Sequence, residues 1–284
     1  MSNFSGTMEC VSENENAATP PWRRMVSIGD SFTEGIGDPD ENVPGGFRGW
    51  ADRVAEHFAE QVPDFAYANL AIRGRLIQQI DDEQIEPALA LNPDLITLCA
   101  GGNDVLRGGD PDKLAGQLDR MVSRLETTGA TIVLFAGPDI GDTPVMKLLR
   151  GRVAIFNENV RTVARRHGAV VADVWSLREL HRPDMWAEDR LHFSALGHHT
   201  IARLVLESLN VSNDLDRDLP APPVTKPWRQ ARADDLHWAR EHLVPWFGRR
   251  IKHVSSGDGV TAKRPLPSPV FGAANGPHDG QPQD

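Results

Sequence analysis

The feature that most constrains the fold is the run Leu95–Ala100, apolar throughout except for Thr97. Pro93–Asp94 precedes it and Gly101–Gly102–Asn103–Asp104 stops it. A run without apolar/polar alternation reads as a strand buried on both faces. Four more strand-like runs occur, at about 24–29, Phe65–Leu70, Thr131–Ala136 and Ala169–Val174. Helical patterns separate them. Trp50, Val54, Phe58 and Val62 recur every four residues and predict a helix over about 48–61. Leu76, Ile77, Ile80, Ile85 and Leu89 predict another. Asp110–Pro111 opens a third, with the stripe Leu114, Leu118, Met121, Val122, Leu125 and a stop at Gly129. Val153–His167 ends at Gly168, and Ser194 caps a last helix that runs to Leu209. Five apolar runs alternating with helices specify a parallel sheet covered on both faces, a three-layer α/β/α sandwich.

The flanks differ in composition. Residues 1–22 are rich in Asn, Glu and Ser and read as a disordered leader, with neither the basic start nor the apolar centre of a secretory signal. The α/β domain is expected over 23–210, followed by an acidic, Pro-rich connector and a helix over 211–253. Residues 254–284, rich in Gly, Pro, Ser and Asp, read as a disordered tail. A net charge of −10 argues against a nucleic-acid binder of the basic-patch type. The two cysteines, Cys10 and Cys99, are no disulfide framework and fit a reducing cytoplasm. No apolar run is long enough to span a bilayer.

The first strand-like run ends abruptly in Gly29–Asp30–Ser31. Ligands of open α/β sheets bind beyond the carboxyl ends of the strands, so this turn is a candidate seat for a nucleophilic hydroxyl. Serine needs a base, and the base needs an orienting group. His192 and Asp189 are the candidates, three residues apart in Asp189–Arg190–Leu191–His192. No Gly-x-Ser-x-Gly elbow, His-Glu-x-x-His, zinc-spaced cysteine pair, Gly-x-Gly-x-x-Gly or phosphate-loop lysine occurs, so neither a metal nor a nucleotide cofactor is expected. The adjacent His198 and His199 face different sides of a helix and read as one core and one surface residue.

Gly29–Asp30–Ser31, Gly74, Gly101-x-Asn103–Asp104 and Asp189-x-x-His192 follow one another in the order of the four sequence blocks of the GDSL, or SGNH, hydrolases. The chain resembles that family over residues 24–209, with Phe32 where the family name has leucine. The resemblance implies a flavodoxin-like strand order and hydrolysis of a small-molecule ester or thioester through an acyl-serine. It implies Ser31 as nucleophile, His192 as general base and Asp189 as its orienter. The backbone N–H groups of Ser31 and Gly74 and the amide of Asn103 would form the oxyanion hole. The same residues would serve acyl transfer to an alcohol or sugar. The aromatic, arginine-bearing stretch 228–252 reads as a docked helix or as an interfacial membrane helix, the latter implying a membrane-associated lipase. Acyl specificity is expected from loops 35–48, 104–110, 137–150 and 175–188, with Trp50, Trp175 and Trp186 as candidate apolar wall.

Overall fold

The structure, a computed structural model, describes residues 20–142, 146–217, 220–221 and 256–271. Five parallel strands form where they were expected: β1 (Arg24–Gly29), β2 (Ala66–Asn69), β3 (Leu95–Cys99), β4 (Thr131–Ala136) and β5 (Val170–Asp173). The sheet order is β5-β4-β3-β1-β2-β6, with a sixth strand, β6 (Arg264–Pro269), beyond β2. Within the parallel part this is the flavodoxin-like order. From β1 the chain crosses first to β2 on one side and then to β3 on the other. The loops that leave β1 and β3 therefore diverge and open a crevice between them.

Residues alternate between the faces of the sheet, as the period of a strand requires. Val26, Ile28, Ile96, Leu98, Ile132 and Leu134 pack against one helical layer. That layer holds α3 (Ile77–Ile80), α4 (Glu86–Ala90), α6 (Pro111–Leu125) and α7 (Arg150–His167). Met25, Tyr67, Leu95, Val133 and Phe135 pack against α2 (Gly49–Gln61) and α8 (Ala195–Ser208). Two short helices, α1 (Ser31–Glu34) and α5 (Gly102–Leu106), leave β1 and β3 at the crevice. The Ser194 hydroxyl caps α8 by accepting from Gly197 N, as its position predicts. His198 is the core histidine: Trp50 N donates to Nδ1 and Nε2 donates to Ile36 O. Burial pulls its pKa down to about 4, so the ring stays neutral and clips loop 35–48 to α2 and α8. Asp38 and Arg53, a buried ion pair, hold the same loop from within. His199 binds Asp216 O near the surface.

Three expectations change. The tail is not wholly disordered: β6 pairs antiparallel with β2, so the sheet is mixed and six-stranded rather than parallel and five-stranded. Pro265, Pro267 and Pro269 obscure it in the sequence. Prolines at every second residue strip donors from one side of a strand only, which an edge strand tolerates. Trp22, placed in the leader, is anchored by its ring contact with Phe58 and its bond to Thr131 Oγ1. Val211 and Leu215 of the connector pack on the α2/α8 face. Residues 1–19 of the leader, residues 228–252 and residues 272–284 of the tail lie outside the described residues.

Candidate active site

The turn after β1 is built without slack. A Cβ at Gly29 would lie 2.6 Å from Cys99 O and 2.7 Å from Thr33 Oγ1, so only glycine fits. Gln84 brackets the same residue: Gly29 N donates to its Oε1 at 2.8 Å, and its Nε2 donates to Gly29 O at 2.9 Å. Gln84 reaches there from a π-helical turn, Asp81–Ile85, between α3 and α4. Asp30 caps α1 by accepting from Phe32 N, and Ser31 is the first helical residue. Phe32 packs against Trp50, Phe135 and Phe193, with ring centroids 5.4–5.9 Å apart. An aromatic ring in the leucine position thus joins the Ser31 turn to the segment that carries His192.

Asp189 and His192 share a tight loop flanked by the bridge Trp186↔Phe193. Asp189 Oδ1 accepts from the backbone N–H groups of Leu191 and His192, both at 3.0 Å. Its Oδ2 takes His192 Nδ1 at 2.5 Å. Burial opposes the carboxylate charge. The His192 hydrogen bond, the His192 charge and the two N–H groups outweigh it and hold the Asp189 pKa at about 2. The carboxylate therefore fixes which imidazole nitrogen carries the proton and leaves Nε2 turned to other partners.

Ser31, Gly74, Asn103, Asp189 and His192 all line one cavity of about 490 Å³ at the β1/β3 crevice. Among the described residues no hydrogen bond joins Ser31 Oγ to His192, and none takes the N–H of Ser31 or of Gly74. Gly74 adopts φ +75°, a left-handed conformation open to glycine. Asn103 Nδ2 donates to Asp30 Oδ2 at 2.9 Å and to Arg75 O at 3.1 Å, which fixes the amide plane. Burial lifts the Asp30 pKa to about 6, against the Phe32 N–H and the His192 charge, which lower it. Cys99 also faces the cavity, but burial pushes its thiol well above the ordinary range, which leaves it a poor nucleophile.

The rest of the wall is largely apolar and includes Ile36, Val105, Ile140, Met146 and Trp186, all from the loops expected to set specificity, beside the polar Arg73, Arg107, Asn157 and Ser256. Val153 and Phe156 of α7 complete it. Trp50 and Trp175 do not line it. Trp50 is fully buried in the core, and Trp175 lies under the Arg150 guanidinium. The sequence reading missed Gln84, the Asp30–Asn103 bond and the pairing of Glu34 with Arg73. Each joins residues far apart in the chain, and none has a local signature. Among the described residues no cluster of His, Cys, Asp and Glu is arranged to hold a metal, and no helix is long and apolar enough to cross a membrane.

Residues 27–200 match the GDSL-like lipase/acylhydrolase family, more than half of the chain. The chain belongs to that family. An arylesterase of Vibrio mimicus is 27% identical over 127 residues, 42% of this chain and 56% of the arylesterase. The match thus spans little more than half of that relative. Among solved structures, LAE5, an α/β hydrolase enzyme from the metagenome of Lake Arreo, Spain, superposes with a TM-score of 0.57 at 24% identity. It covers 68% of this chain and 97% of its own. A variant of Axe2, an acetyl xylan esterase from Geobacillus stearothermophilus, gives 0.54 at 20% identity, over 67% of this chain and 96% of its own. At these identities the likeness concerns the fold. The family match ends before β6 and the segment that leads into it.

Proposed function

We propose that the protein hydrolyses small-molecule carboxylic esters or thioesters through an acyl-serine intermediate. The observation that carries this reading is the meeting of Ser31, the Asp189–His192 pair and two unengaged backbone donors around one largely apolar cavity. In this reading Ser31 Oγ attacks the carbonyl carbon while His192 Nε2 takes its proton. The tetrahedral oxyanion receives the N–H groups of Ser31 and Gly74. Asn103 Nδ2 shares with it a hydrogen otherwise given to Asp30 or Arg75. The bond to the leaving oxygen or sulfur then breaks, and His192 returns the proton to the leaving group. Water adds to the acyl carbon with His192 again as base, and the acid departs as His192 returns the proton to Ser31 Oγ. The family match and the arylesterase relative support the same chemistry.

A fluorophosphonate probe tests the reading. It is expected to form one adduct, on the peptide that contains Ser31, when the labelled protein is digested and weighed by mass spectrometry. An unlabelled Ser31 in folded protein overturns the assignment. Asn103→Ala should lower kcat by about 10²–10³ through loss of a preorganised oxyanion donor. KM should move far less, because the ground-state carbonyl needs that donor less than the oxyanion does. Steady-state kinetics on p-nitrophenyl esters measures both.

A further inference from the structure

Residues 256–271 lie beyond the family match, yet they contact Glu34, in the helix that Ser31 begins, and Arg73, the residue before Gly74. The Lys263 side chain is only 2% exposed. Its ammonium donates to Glu34 O at 2.6 Å and Phe47 O at 2.7 Å, approaches Arg48 O at 3.5 Å and pairs with the buried Asp52 carboxylate. Glu34 ends α1, the helix that Ser31 begins. The Glu34 carboxylate in turn accepts Arg73 N at 2.6 Å and Arg73 Nε at 3.0 Å. Arg73 is the residue before Gly74. On its other side Gly257 is packed so closely that a Cβ there would lie 2.2 Å from Arg73 O and 2.8 Å from Ile72 Cγ2. Ser256 reaches the cavity wall itself.

We propose that this strap is a working part of the active site. Lys263, through the Glu34 carbonyl, and Gly257, through the Arg73 backbone, set the gap between the Ser31 N–H and the Gly74 N–H. Both are positioning residues, and the proposal rests on the acyl-serine reading above. Simple attachment of an edge strand explains the arrangement poorly. Pairing with β2 and the apolar contacts of Ala262 and Val270 already hold the strap. A buried ammonium paired with one carboxylate is commonly no more stabilising than apolar side chains of the same volume. What the ammonium adds is directionality: it draws three carbonyls, one from the end of α1 and two from the end of loop 35–48, onto one point. Supporting groups of this kind keep a site within the fractions of an ångström that catalysis requires.

Three full-length variants test the strap. Lys263→Met keeps the aliphatic stem, Lys263→Met/Asp52→Asn also removes the carboxylate left behind, and Gly257→Ala pushes on Arg73 without touching the ammonium. Each is expected to lower kcat for p-nitrophenyl butyrate by about tenfold to a hundredfold, as a displacement near 1 Å does. KM should stay within about threefold, because binding of the uncharged ester uses none of these groups. Affinity for an alkyl trifluoromethyl ketone, which adds to serine and presents an oxyanion, should fall in step with kcat/KM. A strap that merely stabilises the fold would lower Tm and leave the inhibitor constant unchanged. Wild-type kcat and ketone affinity in the folded double variant and in Gly257→Ala overturn the positioning role, even if Lys263→Met alone fails to fold. Wild-type enzyme whose Ser31 takes no fluorophosphonate would instead overturn the acyl-serine reading beneath it.

Discussion

Ser31→Ala should leave less than about a thousandth of wild-type kcat toward p-nitrophenyl acetate, since loss of a serine nucleophile removes the covalent path outright. The fold should survive. Ser31 is only partly buried, and its hydroxyl makes no hydrogen bond among the described residues that the structure needs. Asp30 continues to cap α1, Gln84 continues to bracket Gly29, and alanine suits a first helical turn. Tm should therefore stay close to wild type while turnover collapses. The residual rate has a physical source, because a binding cavity and oxyanion donors still accelerate attack by water somewhat. Far-UV circular dichroism and melting beside the kinetics separate this outcome from misfolding. A variant that retains full turnover would mean that Ser31 is a turn residue and no more.

Asp189→Asn should cost about 10³–10⁴ in kcat with little change in KM, for a different reason. Asp189 uses both oxygens: one receives two backbone N–H groups and the other holds His192 Nδ1. An asparagine keeps one acceptor oxygen for the backbone and must then turn its NH₂ toward the imidazole. Donor facing donor forces the ring into the tautomer with its proton on Nε2, where a base for Ser31 must be bare. The sign of the pH effect follows from the depressed carboxyl pKa of about 2. The pairing contributes stability in full above the ordinary aspartate range near pH 4, and that contribution is lost as pH falls toward 2. In wild type Asp189 is thus ionised at every pH at which esterase assays run, so the acid limb of the kcat profile does not report it. Melting of wild type and Asp189→Asn between pH 2 and pH 7 checks this: the gap in Tm should narrow only at the acid end.

The Asp30 carboxyl, with a pKa near 6, does titrate within the working range of such an assay. It accepts from Asn103 Nδ2, so the acid limb of the kcat profile should report its protonation.

Much of this molecule is legible from local pattern. The five parallel strands and the helices between them follow from runs and periods that need no distant partner. Burial on one or both faces of a sheet is written into neighbouring residues. The candidate residues Ser31, Gly74, Asn103, Asp189 and His192 were also readable, because each sits in a short motif at a strand exit or in a single turn. Their convergence on one cavity follows from the parallel order, which brings the carboxyl ends of all five strands to one rim.

Contacts across long stretches of chain were not legible. Gln84 reaches Gly29 across 55 residues, and Lys263 reaches Glu34 across 229. A glutamine in a helix or a lysine in a Gly- and Pro-rich tail has no periodicity that betrays a buried partner. The alternating prolines hid β6, because proline disfavours a strand everywhere except at an edge, and only the assembled sheet says where its edge lies. Local sequence specified the five parallel strands, the helices between them and the candidate site side chains. The folded chain alone decided which remote groups hold those side chains in place, since a hydrogen bond between distant residues leaves no mark until the backbone brings them together.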